Sequence, residues 1–322
     1  MEIAVAVVLL IISLFLVVKG GDIFVTSSTE LAKKAHIPQI VFGATFVSLA
    51  TTLGELLIGI ISSVDGTTGL AVGNAVGSAI CNIGLICGIA FTVMPYDLKK
   101  GGTLKYYLLI CATLFLTIIG FFFEITIWEA FVLLSITILY FVFNYIDAKS
   151  FSSSKPKEQE DEHQRPLWLT IIFFILGAAA IGGGAYLLVD KVEYLSGIIG
   201  VSDQFVGLTV VAIGTSLPEL VTVLNSIKKK TPYLAIGNII GSNILNLTLI
   251  IGTSRLCAWN STMPITKETA YISLTFCMFL SLVLLLPILI KKKTYRWQGI
   301  LFLSLYTLYI VWLIVNAIFN FI

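Results

Sequence analysis

The sequence predicts an all-α polytopic membrane protein whose ten transmembrane helices form two inverted five-helix repeats, and three observations carry that prediction. The first is composition: of 322 residues, 57% are hydrophobic and only 12% charged, with a mean hydropathy of +0.99. A soluble domain carries about 25% charged residues, so half of the usual solvating surface is missing and an ordinary soluble enzyme is excluded. The second is the length of the stretches free of Asp, Glu, Lys and Arg, which include 3–18, 69–96, 106–123, 167–189, 231–254, 269–290 and 297–322. Most reach the roughly 20 residues needed to cross about 30 Å of hydrocarbon at 1.5 Å per residue, and none alternates in polarity as a β-barrel strand would. The third is an internal repeat. One gapless shift, which carries Gly43 onto Gly207, lays GATFVSLATTLGE (Gly43 to Glu55) on GLTVVAIGTSLPE (Gly207 to Glu219) with six of thirteen residues identical. The same shift lays AVGNAVGSAICNIGLICG (Ala71 to Gly88) on AIGNIIGSNILNLTLIIG (Ala235 to Gly252) with ten of eighteen identical.

The elements follow in order. The first span, 2–31, begins Met-Glu-Ile-Ala-Val, without the basic n-region or small-residue cleavage site of a signal peptide, so it is expected to stay in the membrane. Span 38–62 carries the first copy of one repeated block and span 69–94 the first copy of the other. Spans 104–122 and 126–147 complete the first repeat, assigned to 1–148. Residues 149–166, KSFSSSKPKEQEDEHQRP, have the serine, proline and charge content of a flexible linker. Spans 167–195, 203–227, 232–257, 267–290 and 295–319 make the second repeat, 167–322. Five spans is an odd number, so the second copy enters the membrane from the opposite side; such repeats place a shared site near the midplane, between interrupted helices.

Orientation comes from Lys and Arg, which accumulate on the cytoplasmic side. An external N-terminus puts sixteen of them in inside connections and three, Lys191, Arg255 and Lys267, in outside ones. Both termini are therefore expected outside a cell membrane and the linker in the cytoplasm; the Lys228 to Lys230 run reads as part of that topology signal. The expected partner is the lipid bilayer, and a monomer would suffice. The net charge of +2 gives no reason to expect nucleic acid. Cys81, Cys87, Cys111, Cys257 and Cys277 form no CxxC pair, and their odd number argues against a disulfide framework; they read as small core residues. His36 and His163 both fall in connections, so no zinc or haem cofactor is expected.

Only two acidic residues, Glu55 and Glu219, sit at matching positions deep within apolar spans. An ionisable group there costs about 2.5–3.5 kcal/mol on insertion scales, so it faces a polar cavity or pathway. Each follows hydroxyls and a helix-disturbing residue, in Thr51-Thr52-Leu53-Gly54-Glu55 and Thr215-Ser216-Leu217-Pro218-Glu219. Proline removes a donor and clashes with the preceding turn, and glycine weakens a helix by about 1 kcal/mol; the breaks are expected to free backbone carbonyls. In the other block Asn74, Ser78 and Asn82, at i, i+4 and i+8, share one helical face, and Asn238, Ser242 and Asn246 repeat it. The pairs Gly73/Gly77 and Gly237/Gly241 make GxxxG patterns that allow close helix packing. Carboxylates, hydroxyls, carboxamide oxygens and freed carbonyls together form an all-oxygen cage suited to hard cations such as Ca²⁺ and Na⁺.

These paired blocks closely resemble the α-repeats of the sodium/calcium exchanger family, within the cation/Ca²⁺ antiporter superfamily, over roughly 20–95 and 184–257. The short linker resembles that of the prokaryotic branch. The resemblance implies a ten-helix fold that exchanges extracellular Na⁺ for cytoplasmic Ca²⁺ by alternating access, with three Na⁺ per Ca²⁺ favoured. It also implies ion ligands at Glu55 and Glu219, at Ser48, Thr51 and Thr52, at Ala212, Thr215 and Ser216, and at Ser78, Asn82, Ser242 and Asn246. Three positions depart from the commonest pattern. Gly54 stands where proline is usual and is expected to soften one helix break; Ser48 stands where a residue often gives only its carbonyl; Asn246 stands where many members carry Asp. A proton/Ca²⁺ antiporter of the same superfamily would typically show a GNxxE-type signature, whereas Asn74 and Asn238 are followed by apolar residues. A cation channel would need a continuous pore, usually built from identical subunits around an axis. A membrane enzyme would need a paired base and nucleophile that the sequence lacks.

Overall fold

A computed structural model describes residues 2–34, 47–96, 104–151, 165–228, 232–259 and 261–319. In the first half the helices are α1 (Glu2–Lys34), α2 (Val47–Thr51), α3 (Leu53–Val64), α4 (Thr68–Cys81), α5 (Gly88–Val93), α6 (Leu104–Gly120) and α7 (Ile127–Phe151). A π-helical turn, Asn82–Cys87, joins α4 to α5. The second half has α8 (Leu167–Ile199), α9 (Asp203–Val206), α10 (Ala212–Thr215), α11 (Leu217–Lys228), α12 (Pro232–Leu245), α13 (Ile251–Cys257), α14 (Thr275–Lys291) and α15 (Arg296–Phe319). Its π-helical turns are Gly207–Val211, Asn246–Ile250 and Thr269–Leu274.

Among the described residues eight helical runs are long and apolar enough to cross a membrane, and two shorter apolar helices, Leu53–Val64 and Leu104–Gly120, fall at the second and fourth expected spans. The start of the second span, the linker between 152 and 164, His36 and His163 lie outside the described residues. No strand occurs among them; one isolated bridge pairs Glu124 with Pro264. There Ile125 N–H donates to the Met263 carbonyl and Ile265 N–H to that of Phe123, at 3.0 and 2.9 Å, tying a connection of one half to a connection of the other.

The two halves break at repeat-related points. Thr52, between α2 and α3, has φ −81° and ψ 0°; Ser216, its counterpart in the second repeat, has φ −80° and ψ 2°. These are bridge-region angles that end a helical run. The expectation that Gly54 softens the first break is therefore corrected: glycine and proline occupy the same turn with the same geometry, because the turn lies before them, at the hydroxyl residue. The π-helical turns beginning at Asn82 and Asn246 are related by the same shift.

Burial arranges these elements in layers. Within the most apolar stretch, 78% of the Thr68–Val93 span and 94% of the Ala235–Cys257 span is buried, against 22% for both Glu2–Phe24 and Arg296–Ala317. The two spans carrying the second repeated block thus form the centre, and the first and last present large apolar side chains such as Ile11, Phe15 and Leu308 outward, where hydrocarbon is the natural solvent. Helices α1 and α8 pack along each other at glycines: a Cβ on Gly20 would lie 2.9 Å from that of Ala180, and one on Gly177 2.7 Å from the Phe24 amide nitrogen. All five cysteines are free, but the core assignment holds in full for Cys81, Cys87 and Cys277 only. Cys111 is exposed on the outer face of α6 and Cys257 is half-buried.

Candidate ion-binding site

Sequence dictates where the two carboxylates fall. Each break starts a new helix of 12 residues, α3 or α11, and the glutamate occupies its first turn. The unpaired amides of a helix N-terminus carry a partial positive charge that favours an anion there, so the interruption that exposes backbone also lowers the cost of burying the carboxylate. Glu55 and Glu219 are both 0% exposed, and among the described residues they are the only charged side chains that are buried. No ion pair among those residues includes either one. They lie close enough to feel one another's charge.

The hydroxyls expected in the site do meet there, in a pattern that repeats across the halves. Thr51 Oγ1 and Ser242 Oγ lie 3.4 Å apart. Their repeat counterparts, Thr215 Oγ1 and Ser78 Oγ, are also 3.4 Å apart. Ser242 Oγ donates to Glu219 Oε1 at 3.4 Å. Thr215 neighbours Glu55, and Thr51 neighbours Glu219. Thr215 also donates to Asn74 Oδ1 at 3.2 Å, while Asn74 Nδ2 reaches the Glu55 carbonyl at 3.5 Å, so Asn74 braces the wall from behind.

The backbone contributes less than expected. The Ser48 carbonyl accepts the Thr52 amide at 3.0 Å, the Thr52 hydroxyl at 2.6 Å and the Thr51 hydroxyl at 3.2 Å. The Ala212 carbonyl accepts the Ser216 amide at 3.1 Å; the Thr215 hydroxyl, 3.4 Å from it, lies nearer the Val211 carbonyl, at 3.0 Å. In this conformation hydroxyls occupy the Ser48 carbonyl and a backbone amide that of Ala212, the carbonyls that the breaks were expected to free. The Ser48 hydroxyl points to the Asn238 carbonyl at 3.4 Å, sealing α2 against α12.

What remains unsatisfied in the site is mostly oxygen, with the amide nitrogens of Asn238 and Asn246 beside it. Buried oxygens with no hydrogen-bond partner include both of Glu55, Glu219 Oε2, Asn82 Oδ1, Asn246 Oδ1, Ser216 Oγ and Asn238 Oδ1. A buried polar atom left unpaired costs about 1–3 kcal/mol, more if charged. Buried carboxylates among unpartnered oxygens suit a cation, and oxygen donors without sulfur or imidazole suit a hard one. All twelve positions expected in the cage are at most 3% exposed. Two residues that sequence reasoning missed belong to its walls. Asn243, 0% exposed, accepts from Asn82 Nδ2 at 2.9 Å; its signal was an amide where the other repeat has Ala79. Tyr140, 1% exposed, interacts with Ser48 and Asn144; nothing in the apolar run around it marked it.

Of the GxxxG glycines, Gly73 and Gly77 face the backbone of Gln204 and of Leu208, and Gly241 faces Ser48 and Tyr140. Among the described residues a Cβ on Gly237 would meet Lys105 Nζ, at 4.0 Å; residue 40, which the repeat pairs with Gln204, lies outside them.

Comparison with known proteins matches this arrangement. A family model described as sodium/calcium exchanger protein covers residues 5–146 and 169–315. The chain is 30% identical to the sodium/calcium exchanger MaX1 of Methanosarcina acetivorans, over 94% of this chain and 97% of that protein. It is 31% identical to an uncharacterized membrane protein of Methanocaldococcus jannaschii, over 92% and 94% of the two chains. A solved structure of the sodium-calcium exchanger NCX_Mj, soaked with 2.5 mM Na⁺ and 10 mM Sr²⁺, superposes with a TM-score of 0.67 at 29% identity, over 96% of this chain and 99% of that one. With 5–146 and 169–315 matched on either side of the linker, the chain belongs to the sodium/calcium exchanger protein family.

Proposed function

We propose that this chain is a secondary antiporter that exchanges Na⁺ for Ca²⁺ by alternating access and extrudes Ca²⁺, with Glu55 and Glu219 as ligands shared by the two ions. The observation that carries this reading is a pair of fully buried carboxylates that have no ion-pair partner among the described residues and lie among buried oxygens without hydrogen-bond partners. Their joint charge of −2 is neutralised by one Ca²⁺ or two Na⁺. Holding both loads together would leave a positive excess in a medium of low dielectric, where charges a few Å apart repel strongly. Competition for the same oxygens then makes exchange obligatory. The ligands are Ser48, Thr51, Thr52, Ser78 and Asn82 from residues 1–148, with Ala212, Thr215, Ser216, Ser242 and Asn246 from 167–322. The hydroxyl pairs that join the halves are long, 3.4 Å, and such weak bonds let one half move against the other at small cost.

Ca²⁺ uptake into proteoliposomes tests the reading. An imposed Na⁺ gradient is expected to drive it and a pH gradient alone is not; the reverse result would assign the chain to proton/Ca²⁺ exchange. The orientation proposed from basic residues puts both termini outside the cell membrane and the linker in the cytoplasm. In a cysteine-free background, Ser153→Cys should resist a membrane-impermeant thiol reagent in intact cells and react after lysis. Labelling of intact cells would invert the topology.

A further inference from the structure

We propose that Asn243 is a positioning residue that fixes the carboxamide of Asn82 so that its oxygen, and not its nitrogen, faces the transported cation. This deepens the proposed function and rests on Asn82 being an ion ligand. A neutral carboxamide is an ambiguous ligand: flipped end for end it presents an NH₂ group, which repels a cation, in place of the oxygen that binds one. A site that relies on asparagines needs something to choose the orientation.

The choice is made by a chain of two hydrogen bonds ending on a group that has no alternative. Asn243 Nδ2 donates to the Ala79 carbonyl at 3.3 Å, and a carbonyl can only accept. That fixes which end of Asn243 faces α4 and leaves its Oδ1 directed at Asn82. Asn82 Nδ2 donates to this Oδ1 at 2.9 Å. Flipping Asn82 would set oxygen against oxygen; flipping both amides would set Asn243 Oδ1 against the Ala79 carbonyl. Only one arrangement satisfies all three groups, and in it Asn82 Oδ1 is the atom left over, buried and without a partner.

The Ala79 carbonyl also accepts the Asn82 backbone N–H where the helix passes from α to π hydrogen bonding, and the second lone pair of a carbonyl can take the Asn243 amide. The device exists in one half only. The repeat counterpart of Asn243 is Ala79 itself, and the counterpart of Asn82 is Asn246, whose Oδ1 and Nδ2 both lack partners. The two carboxamides are therefore inequivalent: Asn82 is held ready for the ion, whereas Asn246 is free to turn.

A double-mutant cycle read in Ca²⁺-dependent transport tests this. Asn243→Ala should raise the KM for Ca²⁺ about fivefold to tenfold, as the loss of one orienting hydrogen bond does, with the maximal rate changed much less. In an Asn82→Ala background the same substitution should change nothing further, and in an Asn246→Ala background it should retain its whole effect. An unchanged KM in the Asn243→Ala single variant, or an equal effect with and without Asn82, overturns the proposal, since Asn243 would then be idle or act by itself. If Asn243→Ala does not yield folded protein, Asn243→Ser, polar but too short to span from Asn82 to Ala79, should give the same pattern. Failure of both to fold would make Asn243 a packing residue and overturn the proposal equally. The cycle concerns Ca²⁺ alone, so a chain driven by protons in place of Na⁺ would fail the exchange reading while leaving this result intact; a wild-type chain that moves no Ca²⁺ is read instead by Ca²⁺-dependent thermal stabilisation of the same variants.

Discussion

At the scale of single residues, the proposed exchange rests on two carboxylates. Glu55→Gln or Glu219→Gln keeps shape and reach but removes half of the site's charge, so each should abolish Ca²⁺ transport while expression and thermal stability are kept. Wild-type rates in both variants would eliminate the site. The pH dependence has a fixed sign, because a carboxylate binds Ca²⁺ only when ionised: flux should fall as pH falls, without a matching loss of folded protein. The glutamates were legible in the sequence because a charge within an apolar span is costly, and its recurrence at the matching position of the second repeat leaves no accidental explanation. The roles of the Ser48 and Ala212 carbonyls were not, because they depend on where neighbouring hydroxyls turn. Thr52 Oγ1 could cap its own helix or reach back four residues; it reaches back, to Ser48. Asn243 escaped notice for the opposite reason. The repeat that exposed the rest of the site hides whatever one half has and the other lacks.

Among the elements, the interrupted helices were legible and the π-helical turns were not. Hydroxyl, glycine and proline residues next to a glutamate signal a break, although the turn is set at Thr52 and Ser216, ahead of the Gly54/Pro218 position that was expected to govern it. A π turn leaves no such sign, because hydrophobic periodicity barely changes when one hydrogen bond lengthens. Two of the four turns begin at the repeat-related Asn82 and Asn246, the others at Gly207 and Thr269. The GxxxG pairs show how far a motif can be trusted. Gly241→Ala would drive a methyl group into the Ser48 hydroxyl and the Tyr140 phenol, displacing α2 from α12 at the edge of the site. Overpacking of this kind costs about 1–3 kcal/mol. Thermal unfolding and Ca²⁺ flux of the purified Gly241→Ala variant should therefore both fall; wild-type values for both would show that the close approach at Gly241 is not what holds α2 to α12.

For the molecule as a whole, symmetry and its departures set what transport does electrically. The repeat predicted two halves meeting at a shared site, and the paired distances between Thr51 and Ser242 and between Ser78 and Thr215 realise that meeting side chain by side chain. Composition alone was sufficient for the membrane class, since outward-facing apolar side chains such as Phe15, Ile11 and Leu308 need a hydrocarbon solvent. Net site charge required reading individual positions. With Asn82 and Asn246 both neutral, the proposed cage holds two carboxylates, so its Ca²⁺-loaded form would be neutral and a form loaded with three Na⁺ would carry +1. Exchange of three Na⁺ for one Ca²⁺ then moves one positive charge inward per Ca²⁺ extruded. Moving one charge through 100 mV is worth about 2.3 kcal/mol, which at about 1.4 kcal/mol per factor of ten shifts the attainable Ca²⁺ ratio by roughly fiftyfold. Proteoliposomes clamped with a potassium ionophore, under equal Na⁺ gradients, should accordingly extrude Ca²⁺ further when the side Na⁺ enters is negative. A steady-state Ca²⁺ ratio independent of the imposed potential would mean that two Na⁺ move per Ca²⁺, and that the two carboxylates are neutralised in both halves of the cycle.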